Sequence, residues 1–173
     1  RIIEQEAFRP GIKIIGVGQR LFQRSVSADL PIMWAGRNNA IYEYAKGSDV
    51  TIVCFNLALS YGLDTMNMLK ERGYAASLYN VNYVFPPEWS RITADVTRTG
   101  RLLIIDDSKS MCSLSDSLKV EVLKNCEVRS LESIVRPPLE ESLRPCPDHL
   151  IVPSDQLVEK LFGNHPVKHA RIA

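Results

Sequence analysis

The sequence predicts an α/β protein with three layers and a parallel or mostly parallel central sheet. From Asp49 onward, short β-rich apolar runs alternate with longer amphipathic stretches, and this is the pattern of βαβ units. Residues 101–106 are apolar almost throughout, as expected of a parallel strand that is covered on both faces. Gly73, Gly100 and Gly163 follow amphipathic stretches, in the positions where glycine ends helices.

The first elements of this regular part are predicted from apolar runs and from the residues that end them. Residues 49–55 are predicted to form a buried strand. A helix is predicted over residues 57–72, because leucine and methionine recur there every three or four residues. Residues 75–84 are predicted as the next strand, which ends at Pro86 and Pro87 because tandem prolines cannot continue a central ladder.

The later elements alternate in the same way. The short loops between them favour right-handed crossovers into one sheet. The predicted elements are a helix at 88–99, a strand at 101–106, a helix that opens at Ser115 or Ser117 and reaches Lys124, a strand at 127–131, and a helix at 154–162 with Ser154 as its N-cap.

The start of the chain has weak periodicity. Residues 12–15 and 30–34 are expected to be strands, and residues 40–45 an edge strand beside the strand at 49–55. Residues 1–39 are therefore expected to be a linker or the end of a preceding domain. The first residue is Arg1 rather than Met, and we expect a trimmed subunit or an excised domain without a visible signal peptide. Residues 164–173 are expected to be a flexible tail.

Composition excludes several classes of partner. The 173 residues carry a net charge of +1, which provides no basic field for nucleic acid. The longest apolar runs fall far short of the roughly 20 residues of a membrane span, so no membrane contact is expected. Four cysteines without a CxxC pair indicate reduced thiols in an intracellular protein, for which we expect a cytoplasmic location.

Polar residues follow two of the predicted strands. Asn56 comes directly after the first buried strand, and Asp106, Asp107 and Ser108 come at the end of the third. Open α/β sheets bind ligands at the carboxyl ends of their strands, so these residues are candidates for a metal or small-ligand edge. The alternative, which we favour, is that Asp106 or Asp107 caps the following turn, or pairs with Lys109 or with a partner subunit.

A cluster of aromatic residues is the second candidate site. Tyr79, Tyr83, Phe85 and Trp89 surround the double proline. Aromatic residues are enriched in the buried centres of interfaces, so Tyr83, Phe85 and Trp89 are candidates for a subunit contact. Core packing explains half of the cluster equally well.

Other motifs carry little weight. Gly16 and Gly18 match only part of a dinucleotide fingerprint, since Leu21 replaces its third glycine. His165 and His169 flank Pro166, which breaks the helix that a metal pair at this spacing needs. No GxSxG elbow is present. No catalytic, cofactor-binding or metal-ligating residue is therefore predicted.

The ordered segments resemble the C-terminal domain of the transketolase family. The segments are Gly-Ser-Asp-Val-Thr-Ile-Val at 47–53, Leu-Lys-Glu-Arg-Gly at 69–73, the strand that ends in Phe85-Pro86, Thr-Gly-Arg-Leu-Leu-Ile-Ile-Asp at 99–106, and Pro-Leu-Glu-Glu-Ser-Leu-Arg-Pro at 138–145. The similarity is greatest to the β subunits of thiamine-diphosphate-dependent 2-oxo acid dehydrogenases. Residues 31–38 are similar to the end of the preceding pyrimidine-binding domain.

This resemblance implies an α/β/α domain at residues 40–163 with a five-stranded mixed sheet, in which residues 40–45 form the antiparallel strand. It implies that thiamine diphosphate and Mg²⁺ bind to other domains of the parent enzyme, and that this chain alone is catalytically silent. The implied role is assembly into a dimer or other homo- or hetero-oligomer, with an α-like subunit and an acyltransferase as partners. The alternative is a free-standing ligand-binding or regulatory module that uses the edge near Asn56 and Asp106.

Overall fold

A computed structural model of the chain describes Phe8 and residues 10–12, 30–82, 88–108, 113–136, 150 and 152–163. Contacts divide the chain into two units, Arg1–Leu30 and Pro31–Ala173. The helices and strands described below belong to the second unit. The described helices include none that is long and apolar enough to span a membrane.

Strands and helices alternate along the second unit. Two short 3-10 turns lie at Arg37–Asn39 and Asn56–Ala58. The elements are β1 (Trp34–Ala35), β2 (Ile41–Ala45), β3 (Val50–Phe55), α1 (Leu59–Glu71), β4 (Ala76–Val81), α2 (Ser90–Thr99), β5 (Arg101–Asp106), α3 (Leu114–Asn125), β6 (Ser130–Val135) and α4 (Ser154–Phe162).

The strands form one mixed sheet in the order β1-β2-β4-β3-β5-β6. Strands β3 to β6 run parallel, and β2 runs antiparallel to both β1 and β4. The predicted α/β fold with a mostly parallel sheet is confirmed. The predicted count of five strands was wrong, because the sheet of the described residues has six: the two-residue β1 adds a strand within the region predicted as a linker.

The neighbour of β2 was also predicted wrongly. Strand β2 pairs with β4 rather than with the strand at Val50–Phe55, which has β4 and β5 on its two sides. The loop after β2 therefore crosses the amino end of β4. Gly47 makes this crossing possible, since a Cβ atom there would lie closer than 3.0 Å to backbone atoms of Ala75 and Ala76.

Two apolar clusters, one on each face of the sheet, account for the three layers. On one face, α1 and α4 contribute Leu69, Leu157, Leu161 and Phe162. On the other face, α2 and α3 contribute Ile92, Val96, Leu118 and Val122. The alternate residues of β3 and β5 belong to opposite clusters, which explains why these strands are apolar almost throughout.

Hydrogen bonds between side chains fasten the amino ends of the strands. Thr51 on β3 donates to Asp95 on α2 at 3.0 Å, and its hydroxyl lies 2.9 Å from that of Thr99. Arg98 bonds to Asp95 and donates to the carbonyl of Gly47, both at 2.5 Å. This buried network joins α2 to β3 and to the loop that precedes β3.

The C-terminal helix is fastened at the same end of the sheet. Arg101 on β5 and Ser130 on β6 donate to the carbonyl oxygen of Leu161 at 2.9 and 3.0 Å. The guanidinium of Arg101 also lies over the ring of Phe162, which stacks on Tyr74 with ring centroids 3.8 Å apart. The predicted helix at 154–162 is confirmed, although its N-cap is Pro153 rather than Ser154.

Other boundaries differ from the predictions. The strand predicted at 127–131 lies at Ser130–Val135, because the chain reaches the amino end of β5 only where Ser130 pairs with Arg101. Helix α3 begins after Ser113, whose side chain and that of Asp116 form a capping box, instead of at Ser115 or Ser117. The strand predicted at 30–34 shrinks to β1, and residues 13–15 lie outside the described residues.

Candidate functional site

The predicted ligand edge lies where the direction of winding reverses. Strand β4 lies on one side of β3 and β5 on the other, and ligands in open α/β sheets bind at such a switch point. Asn56 follows β3 as the first residue of a 3-10 turn. Asp106 ends β5 and pairs in register with Phe55, the last residue of β3. The fold therefore places Asn56, Asp106, Asp107 and Ser108 at one edge.

The two aspartates are already engaged in local interactions. Asp106 is buried, and its Oδ1 accepts a hydrogen bond of 2.9 Å from the backbone N–H of Ser108. Asp107 forms an ion pair with Arg136 at 2.5 Å, and the side chains are 0% and 7% exposed respectively. The Nε of Arg136 also donates to the carbonyl oxygen of Asp107 at 3.1 Å. Asp106 thus caps the following turn, as in the alternative to ligand binding, whereas Asp107 pairs with Arg136, a partner that was not predicted. Lys109, the predicted partner, lies outside the described residues.

This arrangement does not fit a magnesium–diphosphate group. Such a group needs several oxygen ligands directed at one point. Asp106 instead caps a turn, Asp107 faces a cation, and no group of three or more metal-ligating side chains lies within the described part of the chain. The carboxylates of this edge therefore stabilise the turn after β5 and its contact with the end of β6.

Sequence reasoning missed a chain of amides at the carboxyl end of β4. Asn80 donates through Nδ2 to Oδ1 of Asn82 at 2.8 Å, and Asn82 donates to the carbonyl oxygen of Asn39 at 2.9 Å. These bonds tie the end of β4 to the turn before β2. The Oδ1 of Asn80 is buried without a hydrogen-bond partner. A polar pair two residues apart at a strand end was the available signal.

Only two members of the predicted aromatic cluster, Tyr79 and Trp89, lie within the described residues. Trp89 is buried and packs against Phe55 with ring centroids 6.1 Å apart. Tyr79 is also buried, and burial raises the pKa of its hydroxyl. These two rings belong to the core beneath α2, whereas Tyr83 and Phe85 lie outside the described residues. A subunit contact through Tyr83, Phe85 and Trp89 stays a prediction.

A buried charge beside Trp34 was not predicted either. Glu43 on β2 is buried and accepts hydrogen bonds from Nε and Nη2 of Arg91 at 3.0 and 2.7 Å. The guanidinium of Arg91 also lies 5.1 Å from the ring centroid of Trp34. This contact fastens the first turn of α2 to β1 and β2. A single acidic residue in an otherwise apolar strand was the signal for it.

The described thiols are structural. Cys54 and Cys126, the cysteines within the described residues, are free, and reduced thiols throughout the chain stay a prediction. Burial raises the pKa of the Cys54 thiol, which keeps it protonated and a poor nucleophile.

Comparisons with known proteins agree with this architecture. The family model described as "Transketolase, C-terminal domain" matches residues 40–144. The chain is 23% identical over 116 residues to the acetoin:2,6-dichlorophenolindophenol oxidoreductase subunit beta of Cupriavidus necator, a match that covers 67% of this chain and 32% of that protein. It is 32% identical over 63 residues to the mitochondrial pyruvate dehydrogenase E1 component subunit beta-2 of Oryza sativa subsp. japonica, which covers 36% of this chain and 17% of that protein.

A solved structure has a similar fold. It is titled "Split gene transketolase, inactive beta4 tetramer" and has a TM-score of 0.52 and 20% sequence identity, over 60% of this chain and 34% of that one. The match covers about a third or less of each of these proteins.

Proposed function

Because the chain belongs to the transketolase C-terminal domain family and is related to β subunits of 2-oxo acid dehydrogenases, we propose that it is the subunit-assembly domain of a thiamine-diphosphate-dependent enzyme. By itself it is catalytically silent. The observation that carries the proposal is the match of the family model to residues 40–144, the part of the chain that contains β2 to β6.

The chemistry of the described residues supports a silent domain. At the switch point Asp107 is paired with Arg136 and Asp106 caps a turn. At the opposite end of the sheet, Asp95 accepts hydrogen bonds from Thr51 and Arg98. These buried carboxylates hold elements of the fold together, and the coenzyme and Mg²⁺ are proposed to bind to other domains of the parent enzyme.

The proposed partners follow from the relatives. Two of them are named as β subunits, and the similar solved structure is named as a tetramer of β chains. We propose that this domain contacts further copies of the chain or an α-like subunit, and an acyltransferase where the parent enzyme is part of a larger complex. A cytoplasmic location is part of the proposal, although one relative is named as mitochondrial.

Calorimetric titration of the full chain with thiamine diphosphate and Mg²⁺ tests the silent domain. We expect no heat of binding beyond dilution, because no described group of carboxylates is arranged for the metal. Saturable binding at micromolar concentration would contradict the proposal. A catalytically competent thiamine-diphosphate enzyme of the same family serves as the positive control for the reagents.

A second candidate function is ligand binding at the edge of Asn56 and Asp106. The observation in its favour is the position of these residues at the switch point of the sheet. A free-standing module of this kind would be monomeric in light scattering and would show an ordered ligand or metal at that edge in a crystal structure. An oligomeric chain with an empty edge would exclude it.

A further inference from the structure

The two edges of the sheet are very different. At one edge, β1 consists of two residues, and only Trp34 and Ala35 pair with β2. At the other edge, β6 has six residues and pairs with β5 alone among the described strands. An edge strand presents a row of N–H and C=O groups that another strand can use. The long edge at β6 is therefore the candidate for strand addition.

Within β6 itself, few of the features that block such pairing are present. Charged side chains, above all lysine, together with proline, bulges and a covering helix or loop protect edge strands. The sequence Ser-Leu-Glu-Ser-Ile-Val at Ser130–Val135 contains one charge, Glu132, and its register with β5 is unbroken over all six residues. Ser133 is exposed, and Val135 is 45% exposed.

Resting on the assembly function proposed above, we propose that β6 pairs with β6 of a second copy of this chain. The two strands run antiparallel about a two-fold axis that passes through Ser133. The sheets of both copies then form one continuous sheet. Two-fold dimers are by far the commonest closed assemblies of identical chains, and an axis perpendicular to the sheet keeps the two faces of each sheet on the same sides.

The sequence of β6 selects this register. Centred on Ser133, the pairing puts Leu131 opposite Val135 of the second copy, and this apolar pair occurs twice. Glu132 then lies opposite Ile134. A register centred on Glu132 would put two carboxylates directly opposite each other, which is destabilising.

A register centred on Leu131 would pair only residues 130–132 and leave the rest of the strand overhanging. The Ser133 register is therefore the one that joins most of the strand without a charge clash.

A competing surface lies on α3. Val120 and Leu123 are 50% and 65% exposed, and both belong to α3. Neither residue is among those that the proposed pairing of two β6 strands brings together. This placement makes Leu123 a control for the β6 surface.

Cysteine cross-linking tests the register. In the Ser133→Cys chain, the two cysteines face each other across the axis, at the Cα separation of about 4.5–5.5 Å of directly opposed strand residues. That spacing permits a disulfide. Val135→Cys is the matched control on the same face, because four residues of offset, about 13 Å along the strand, separate the two copies of this position.

We expect mild oxidation to give a peptide linked from 133 to 133 and none linked from 135 to 135, with the native cysteines left in place. A link through 135 without one through 133 would overturn the register.

Sedimentation of the full chain tests whether the β6 edge is the surface through which two copies associate. We expect the wild-type mass to rise above that of one chain as concentration increases, and the Ser133→Lys variant to have half the wild-type mass, since it places two like charges on the axis. Leu123→Lys should keep the wild-type mass. Circular dichroism checks that both lysine variants fold. The cross-linking test with Ser133→Cys and Val135→Cys remains available if either lysine variant does not fold.

The outcomes separate this inference from the function on which it rests. A Ser133→Lys chain that keeps an oligomeric wild-type mass overturns the β6 contact alone. A wild-type chain that is monomeric at every concentration overturns both the β6 contact and the assembly of this chain with further copies of itself. Neither result bears on the calorimetric titration, where saturable coenzyme binding would contradict the silent assembly domain.

Discussion

The two ends of the sheet use their polar residues differently. At the amino end, the network of Thr51, Asp95, Thr99 and Arg98 joins a helix, a strand and a loop that are far apart in sequence. At the carboxyl end, Asp106 bonds to a backbone N–H two residues away. The amino end is thus fastened by long-range contacts, whereas the carboxyl end combines local contacts with long-range ones.

This difference shows where the fold tolerates change. Two contacts at the carboxyl end are also long-range. The ion pair of Asp107 and Arg136 links the end of β5 to the residue after β6, and Asn82 donates to the carbonyl oxygen of Asn39. Asp106, by contrast, accepts a side-chain hydrogen bond from within the turn after β5. Single substitutions in the ion pair, in the loop that crosses β4 and in the amino-end network therefore measure how much each of these features contributes to the free energy of unfolding.

The largest effect is expected from Arg136→Met. The substitution leaves the fully buried carboxylate of Asp107 without its cation, and removal of one member of a buried pair costs about 3–5 kcal/mol. Urea unfolding followed by circular dichroism measures the loss in the free energy of unfolding.

The double variant Asp107→Leu, Arg136→Met is the control, and we expect it to recover most of the loss because no buried charge remains. A loss below about 1 kcal/mol in the single variant, the scale of an exposed pair, would show that the carboxyl end does not depend on this pair.

Gly47→Ala comes next and tests the crossing over β4 at the amino end. Its Cβ would overlap backbone atoms of Ala75 and Ala76, which cannot move as a side chain can, so we expect a loss of about 2–3 kcal/mol. Gly36→Ala is the control. Its φ of −66° suits alanine, and the atom nearest to the added Cβ is 3.1 Å away on the side chain of Trp34, which can shift, so the expected loss is at most about 1 kcal/mol. Equal losses in the two variants would contradict the close approach.

Thr51→Val tests the amino-end network itself. The valine removes a buried hydroxyl that donates to Asp95 and contacts Thr99, and we expect a loss of about 2 kcal/mol because Asp95 loses a donor in a buried site. In the control variant Thr97→Val, the lost hydroxyl donates to the carbonyl oxygen of Thr93 at the surface. We expect at most about 0.5 kcal/mol there, and a similar loss in both variants would show that the network is not special.

The smallest effect concerns the capping box of α3 and depends on pH. Hydrogen bonds from Lys119 and from the backbone N–H of Ser113 lower the pKa of Asp116. A lowered pKa stabilises the fold above the unfolded value of about 3.9 and ceases to do so as pH falls through the folded value. Wild type should therefore exceed Asp116→Asn in stability by at most about 0.5 kcal/mol at pH 7.

That difference should disappear in acid unfolding experiments below the folded pKa of Asp116. A difference that grows as the pH falls would contradict the assignment of the charge, because the sign of the linkage would then be reversed.

Local patterns predicted most of the fold. The apolar runs and glycine stops located β3, α1, β5, α2 and α4 to within a few residues, because each depends on its own periodicity. The neighbour of β2 could not be found in this way. It depends on a loop that crosses the end of β4, and the close approach of Gly47 to Ala75 is visible only in three dimensions.

The sequence predicted where the candidate edge residues lie, but it did not predict which residues they contact. The strand ends placed Asn56 and Asp106 at one edge, because the winding order follows from the βαβ pattern. The partner of Asp107 is Arg136, which lies beyond a strand whose predicted range ended at residue 131. The Glu43–Arg91 contact joins residues 48 positions apart, and no spacing rule connects them.

The central claim is that this chain supplies contacts between subunits and that the coenzyme binds elsewhere. Sedimentation equilibrium of the full chain, with and without thiamine diphosphate and Mg²⁺, tests both parts together. We predict an assembly larger than one chain whose mass is the same in both solutions. A chain that assembles only when the coenzyme is added would contradict the account.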